Sequence, residues 1–227
     1  MLKQRTAILL FSRSAKEEIV HKQFSSTSLR QSKNIASKLI QQTSHIAQSS
    51  GFPVLYADQQ RGSNFAERLT HSIQEAFRNG YERIIAIGND TPALSVNHLY
   101  QAEKALSHKD IVLGPSKDGG IYLLGLKKKT FAPLSFGKLS WQTNQLLNEF
   151  IHFITQQKWS FHTLEPLADI DNVKDFFSFI NKQLLYFAQI LKSLLLRSFI
   201  FPGPNMIFPT LATHSPFYQR PPPPIYF

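Results

Sequence analysis

The segment IAIGNDTPALS, residues 85–95, joins an apolar run directly to an aspartate and a Thr-Pro pair. The apolar residues 83–88 are typical of a buried β-strand, and Ser95 is a typical residue at the start of a helix. Asp90 therefore stands between a strand and a helix. A carboxylate in this place either caps the helix or forms an Asx turn before Pro92, or it binds a positively charged group. The segment alone favours neither interpretation.

Composition limits the classes of protein to which the chain can belong. Its 227 residues, 42% of them hydrophobic, are enough for one main domain with a substantial core. The absence of cysteine excludes disulfides and thiolate-bound zinc, and it fits a cytoplasmic enzyme. The formal net charge of +10 favours anionic partners such as phosphates or nucleotides. We expect no nucleic-acid partner, because the basic residues are scattered and no RNA- or DNA-binding motif accompanies them.

Apolar runs and helical periodicities alternate along the chain, which predicts an α/β fold with a mostly parallel central sheet and helices on both faces. Strands are expected at residues 6–12, 53–56, 83–88, 110–113 and 121–126, with a short extended stretch at 161–164. Helices are expected at residues 29–49 and 64–78, from residue 95, at 141–154, and from 173 to about 196. In such a sheet the loops that follow the parallel strands lie at one edge.

Three polar segments each follow one of the predicted strands or the extended stretch. They are Gly88–Pro92, Gly114–Gly120 and Asp169–Asp171. Ligands of open α/β sheets bind at the carboxyl ends of the strands, so we expect the acidic side chains of these segments to meet there. Their oxygen ligands would suit Mg²⁺ or Mn²⁺ carrying a diphosphate.

Several longer strings resemble one known family. IGNDTPAL (87–94), VLGPSKDGGIYLLGL (112–126) and LADIDNVKDF (167–176) occur in the order and at the spacing of that family. QRGSNFAERL (60–69) and the triplet WQT (141–143) resemble two further elements of it. The family is that of the bacterial GT-A-type nucleotide-diphospho-sugar transferases, often called arsenosugar-biosynthesis-type glycosyltransferases.

This resemblance extends over residues from about 6 to 176 and implies a Rossmann-like, three-layer GT-A fold. It also implies that the protein binds a nucleotide-diphosphate sugar or nucleotide with Mg²⁺ or Mn²⁺, and that an unknown acceptor receives the sugar. By position, Asp90 matches the metal-binding aspartate of such enzymes, and Asp169 is expected as a second metal ligand. Asp118 and Asp171 are the expected catalytic residues.

Further matched residues are expected to bind the donor, and each has a structural alternative. Gly119 and Gly120 would let the backbone approach a sugar or phosphate closely, or they form an ordinary turn between two strands. Gly62 and Arg68 belong to the QRGSNFAERL element. Arg68 faces either a phosphate or an ion-pair partner, and the two interpretations are equally open.

The Asp-Ile-Asp segment also has two interpretations. In an extended segment Asp169 and Asp171 point to the same side, with Ile170 buried between them, so the pair could share a cation. Alternatively, Asp171 caps the helix that starts near Val173, and Asp169 is solvated.

The stretch after the first strand departs from the family pattern. Many relatives carry a Pro-Gly-containing loop ending in Lys-Thr-Arg-Leu, whereas residues 11–24 here read FSRSAKEEIVHKQF, without glycine. Only Arg13, Lys16 and Lys22 could supply positive charge to a diphosphate, as point charges. The other interpretations are a different donor or a loss of transferase activity.

The C-terminal part changes character. Residues 184–201 are strongly apolar but are interrupted by polar and charged residues, so no transmembrane span is expected. A packing helix is the expected structure, with weak membrane-surface association as the alternative. We expect a single domain at residues 1–198 and a poorly ordered, Pro-rich tail at 199–227.

The expected function is therefore transfer of a sugar from a nucleotide-diphosphate donor to an unknown acceptor. Two alternatives stay open from the sequence. One is a nucleotidyltransferase of the same fold, since the residues do not decide whether C1 of a sugar or the α-phosphorus is attacked. The other is a non-catalytic nucleotide-binding relative.

Overall fold

Six strands form one sheet in the computed structural model, which describes residues 5–22, 24–25, 28–57 and 61–182. They are β1 (Thr6–Leu10), β2 (Val54–Tyr56), β3 (Arg83–Ile87), β4 (Ile111–Pro115), β5 (Ile121–Lys127) and β6 (Phe161–Thr163). Their order in the sheet is β2-β1-β3-β5-β4-β6. The pairs β1–β2, β1–β3 and β4–β6 are parallel, whereas β5 is antiparallel to both of its neighbours. The predicted α/β fold with a mostly parallel sheet is confirmed.

The single reversed strand decides where the loops lie. Because β5 runs antiparallel to β3 on one side and to β4 on the other, β3 and β4 point the same way. β1 and β6 share this direction, so the loops after β1, β3, β4 and β6 all leave the same edge of the sheet. β4 and β5 form a hairpin through residues 116–120 at that edge.

Helices cover both faces of the sheet. They are α1 (Ala15–His21), α2 (Leu29–Ser49), α3 (Phe65–Arg78), α4 (Val96–His108), α5 (Pro133–Phe136), α6 (Leu146–Gln156) and α7 (Val173–Lys182), with a 3₁₀ turn at Lys128–Thr130. One core lies under α3, α5 and α6, and a second lies under α2 and α4. A third, smaller cluster joins α1 and α7 to α2. The structure thus has the three layers expected of the fold.

The core follows the apolar periodicity of each element. Leu69, Ile73 and Phe77 recur every fourth residue along α3 and are all buried against the sheet. Phe150 of α6 is fully buried and packs against the ring of Phe136 with centroids 5.3 Å apart. These contacts hold α3, α5 and α6 on one face of the sheet.

Three local differences from the predicted elements concern the chain near the site. Residues 15–21, for which the sequence predicted no helix or strand, form helix α1, because Ser14 and Glu17 make a reciprocal capping box. Helix α6 begins at Leu146 and not at residue 141, since Gln142 has a left-handed φ of 63° that a helix does not allow. Strand β5 is antiparallel to β3. The sequence predicted a mostly parallel sheet but not the direction of this strand.

The predicted C-terminal elements lie largely outside the described residues. Helix α7 is described to Lys182, while the predicted apolar helix at 184–201 and the tail at 199–227 fall beyond that point. Within residues 5–22, 24–25, 28–57 and 61–182, no helix is long and apolar enough to cross a membrane.

Candidate functional site

The loops after β3, β4 and β6 are joined to one another at the edge of the sheet. The Ile170 N–H donates a hydrogen bond to the Asp90 carbonyl (2.8 Å), and the Lys117 N–H donates one to the Leu167 carbonyl (2.8 Å). A cleft of about 700 Å³ opens beside these loops. All four of the predicted acidic site residues line it: Asp90, Asp118, Asp169 and Asp171. The structure therefore brings together the acidic side chains that the sequence places far apart.

Lys22 holds two of these carboxylates. Its Nζ lies 2.6 Å from Asp90 Oδ2 and 2.6 Å from Asp171 Oδ1. Glu18 lies one helical turn earlier, with Oε1 at 3.8 Å from the same nitrogen. Burial lowers the pKa of Lys22, but Asp90 and Asp171 outweigh it and raise that pKa above its usual value. The ammonium is therefore charged and held between a loop after β3 and the segment before α7.

Residues other than Asp90 and Asp171 cap helices α4 and α7, and this tests the capping interpretation of the two aspartates. Ser95 is the N-cap of α4, and its N–H and hydroxyl contact His98 Nδ1 at 3.0 and 2.7 Å. At the start of α7, Asn172 Oδ1 accepts from the backbone N–H groups of residues 174 and 175. The alternative interpretation, in which Asp90 or Asp171 caps the following helix, is wrong. Their carboxylates instead bind Lys22.

Asp169 lies deeper in the cleft. Thr91 donates its hydroxyl proton to Asp169 Oδ1 in a short hydrogen bond. Burial, followed by the nearby negative charge of Asp90, raises the pKa of Asp169 to about 7. The neighbouring Ile170 is buried, as the alternation of the segment predicted. Asp169 is consequently a carboxyl group that can hold or release a proton near neutral pH.

The Asp-Gly-Gly loop is the tip of the β4–β5 hairpin, so the turn interpretation of these glycines is confirmed. The Gly120 N–H donates to Asp118 Oδ1 at 3.0 Å, which orients the carboxylate. Gly119 has a φ of +93°, and a Cβ there would lie 2.2 Å from the Asn144 carbonyl oxygen. Gly119 is thus required for packing of the hairpin, whereas Asp118 and Gly120 line the cleft.

The opposite wall of the cleft comes from residues to which sequence reasoning gave no role. Phe11, Phe65 and Trp141 line it, with the ring centroids of Phe65 and Trp141 5.8 Å apart. Residues 142–144 continue this wall. In the sequence this wall is marked by the WQT triplet, which contributes to the family resemblance but does not by itself indicate a role in the site.

A second cavity of about 890 Å³ adjoins the first, and Arg13 and His21 line both. Arg68 also lines it, and its buried Nε has no hydrogen-bond partner among the described residues. Arg13 Nη1 lies 3.9 Å from Glu18 Oε2. Gly62 lines neither cavity. With a φ of +136° and no room for a Cβ beside Glu67, it shapes the entry to α3.

The donor set does not fit a divalent cation as the side chains stand. Asp90 Oδ2 is bound by an ammonium, and Asp169 Oδ1 accepts from Thr91. In the described part of the chain, no three His, Asp or Glu side chains form a group that could hold a metal ion. The metal-ligand roles of Asp90 and Asp169 therefore stay predictions.

A sheet of this order, with a polar cleft at its carboxyl edge, defines the class as an α/β protein of the nucleotide-diphospho-sugar transferase fold. It superposes on a "putative nucleotide-diphospho-sugar transferase" from Desulfovibrio desulfuricans G20 with a TM-score of 0.70. The two chains are 19% identical, and the match covers 86% of this chain and 96% of the other. At that identity the likeness shows the fold.

Residues 16–143 match DUF2064, described as "Uncharacterized protein conserved in bacteria", and the chain belongs to this family. A curated relative, the 2-phospho-L-lactate guanylyltransferase of Methanocaldococcus vulcanius, is 27% identical over 133 residues. That match covers 56% of this chain and 57% of the relative, so the chain spans little more than half of the relative's length. The fold that the motifs predicted, that of the nucleotide-diphospho-sugar transferases, is confirmed.

Proposed function

We propose that this protein binds a nucleotide-diphosphate sugar across the two adjoining cavities and transfers the sugar to an acceptor. The observation that carries the proposal is the pair of cavities, about 890 and 700 Å³, which meet at Arg13 and His21. A nucleotide-diphosphate sugar has the matching form, with a nucleoside and a sugar on either side of an anionic centre. Each cavity is within the size range of small-molecule sites.

The positive groups near the junction suit the diphosphate. Arg13 lines both cavities, and Arg68 lines the larger one with a buried Nε that lacks a partner in the described part of the chain. A buried donor without an acceptor is costly, and a phosphate oxygen would satisfy it. The planar guanidinium group is well matched to phosphate oxygens. In this arrangement the nucleoside occupies the larger cavity, beside Tyr56, and the sugar occupies the acidic cleft.

The cleft also offers a base for the acceptor. Asp118 is exposed at the cleft, and the Gly120 N–H orients its carboxylate. In the proposed reaction the acceptor hydroxyl attacks C1 of the sugar, and the bond from C1 to the diphosphate oxygen breaks. Asp118 takes the hydroxyl proton, and the nucleoside diphosphate leaves. Asp171 was expected to act in catalysis as well, but its carboxylate is bound to Lys22, so we give it a positioning role.

A second candidate is nucleotidyl transfer, which the guanylyltransferase relative favours. The same cleft would then hold a nucleoside triphosphate, an acceptor oxygen would attack the α-phosphorus, and pyrophosphate would leave. The two reactions differ in the product that is released, so they can be separated by experiment.

The test is a binding and turnover panel of nucleoside triphosphates and nucleotide-diphosphate sugars on the full chain. We expect a sugar nucleotide to bind. When a suitable acceptor is added, a nucleoside diphosphate should be released. Asp118→Asn should keep binding and lose turnover by about 100-fold or more. Glu82→Gln, at a surface ion pair with Arg5 outside both cavities, is the matched control.

Each other result has a definite meaning. Release of pyrophosphate supports nucleotidyl transfer in place of sugar transfer. Binding of a nucleotide without turnover by any acceptor supports the non-catalytic alternative. If no nucleotide or sugar nucleotide binds, the proposal is wrong.

A further inference from the structure

Lys22 is placed by the end of a short, well-capped helix. It is the C-cap residue of α1, and its N–H donates to the Glu18 carbonyl at 2.8 Å. The other end of α1 is closed by the Ser14–Glu17 capping box. The side chain is only 16% exposed, so its ammonium is presented to the cleft from a defined backbone position.

The ammonium lies where two acidic loops come together. Asp90 follows β3 and Asp171 precedes α7, and the hydrogen bond from the Ile170 N–H to the Asp90 carbonyl fixes these segments side by side. Lys22 Nζ is 2.6 Å from one oxygen of each carboxylate. Any divalent ion using these two oxygens would have to displace the ammonium or sit beside its positive charge.

One hydrogen-bond donor of the ammonium remains for a ligand. An ammonium group has three N–H donors, and two of them are directed to Asp90 and Asp171. Glu18 Oε1 at 3.8 Å is beyond hydrogen-bond distance, and no described residue supplies a third acceptor. Lys22 also lines the cleft, so the third donor is available to an oxygen bound there.

We propose that Lys22 is the built-in cation of this cleft: its ammonium occupies the position that a divalent metal held by Asp90 and Asp171 would need, and it binds the donor's diphosphate directly. This inference rests on the proposed function for its ligand. Two carboxylates position the ammonium, and a phosphate oxygen accepts its third hydrogen bond. Donor binding then needs no divalent metal ion.

The first test uses the metal alone. Binding of Mn²⁺ to the full chain is followed by electron paramagnetic resonance in the wild type, in Lys22→Met and in Lys16→Met. Lys16 is exposed on the same helix and lines neither cavity, so its variant is the matched control. We expect Lys22→Met to bind Mn²⁺ at least about tenfold more tightly than the wild type and the control, because two close carboxylates lose their cation.

The second test uses nucleoside diphosphates, with GDP and UDP as the probes, titrated by calorimetry in EDTA and in Mn²⁺. Wild-type affinity should agree within about twofold in the two media, since the cation is part of the chain. Lys22→Met should lose about tenfold or more in EDTA and recover with Mn²⁺. Lys22→Arg, which keeps the charge, should bind in EDTA, and it serves as the check if Lys22→Met fails to fold.

Two results would overturn the inference while leaving the proposed function standing. One is wild-type nucleotide binding that requires Mn²⁺, and the other is a wild-type Mn²⁺ site that disappears in Asp90→Asn. By contrast, if Lys22→Met gains a Mn²⁺ site but no nucleotide binds to any variant, the proposed function fails and the position of the cation is confirmed.

Discussion

Replacing Gly119 by alanine should separate the packing role of the Asp-Gly-Gly loop from ligand binding. Gly119 has a φ of +93°, and a Cβ added there would lie 2.2 Å from the backbone oxygen of Asn144. The Gly119 carbonyl also accepts from the Leu147 N–H at 3.0 Å, so the loop is fastened to the start of α6. The added methyl group cannot be accommodated without moving one backbone segment away from the other.

The expected cost has two parts. An L-residue in the left-handed region costs about 1–2 kcal/mol, of which about 0.4–1 kcal/mol is offset by the lower entropy of the unfolded chain. Forcing the clash with Asn144 adds about 1–3 kcal/mol. The free energy of unfolding should therefore fall by about 2–4 kcal/mol, which lowers Tm by roughly 4–16 °C for a domain of this size.

Gly51→Ala is the matched control: Gly51 has a φ of +73°, but among the described residues, its chain neighbours aside, no atom lies within 4 Å of an added Cβ. It should lose only about 1 kcal/mol, the backbone part alone. Both free energies are measured by urea denaturation of the full chain. Equal losses in the two variants would refute the argument, because the contact with Asn144 would then contribute nothing.

Three other predictions concern the stability of the fold. Phe150→Ala should lower the free energy of unfolding by about 3–5 kcal/mol in urea denaturation, because Phe150 is fully buried between α5 and the sheet; a loss below about 1 kcal/mol would contradict this packing. Ser14→Ala should cost about 0.5–2 kcal/mol and raise amide exchange in α1, whereas Ser107→Ala, at an exposed helix end, should leave α1 unchanged. Although desolvation raises the pKa of Asp110, hydrogen bonds from Lys129 and Ser160 outweigh it and lower that pKa to about 2. As the pH falls from about 4 to 2, the Asp110 carboxylate becomes protonated, and the wild type should lose the stability that the charged group contributes. Asp110→Asn lacks this contribution, so its free energy of unfolding should fall less over the same range. If the two proteins show parallel curves of unfolding free energy against pH, the assignment is wrong.

The sheet and most of the helices could be predicted because their signals are local. The predicted helix at residues 29–49 matches α2 at both ends, since Ser28 caps its start and apolar residues recur at helical spacing along it. The predicted strands agree with the observed ones to within two residues at either end. The direction of β5 could not be read in this way, because strand pairing is a long-range property.

The acidic cleft could be predicted in outline but not in its charge balance. The placement of Asp90, Asp118, Asp169 and Asp171 at one edge follows from the rule for loops after parallel strands. The partner of Asp90 is Lys22, 68 positions away, and no sequence pattern relates them. Helix α1 was not predicted although its capping box is present in the sequence, because its 7 residues are too few to show a clear helical periodicity.

This missed helix changes what the departure from the family pattern means. From the sequence, a stretch without glycine left three interpretations open: point charges from Arg13, Lys16 and Lys22, a different donor, or a loss of transferase activity. In the structure the same residues form α1, whose last turn carries Lys22 into the cleft between Asp90 and Asp171. Removing Lys22 would leave two closely spaced carboxylates without their cation, and removing both carboxylates would leave a largely buried ammonium with only the more distant Glu18 carboxylate nearby. The three residues therefore form one unit, and under the proposed function its fixed side-chain charge takes the place of flexible backbone groups.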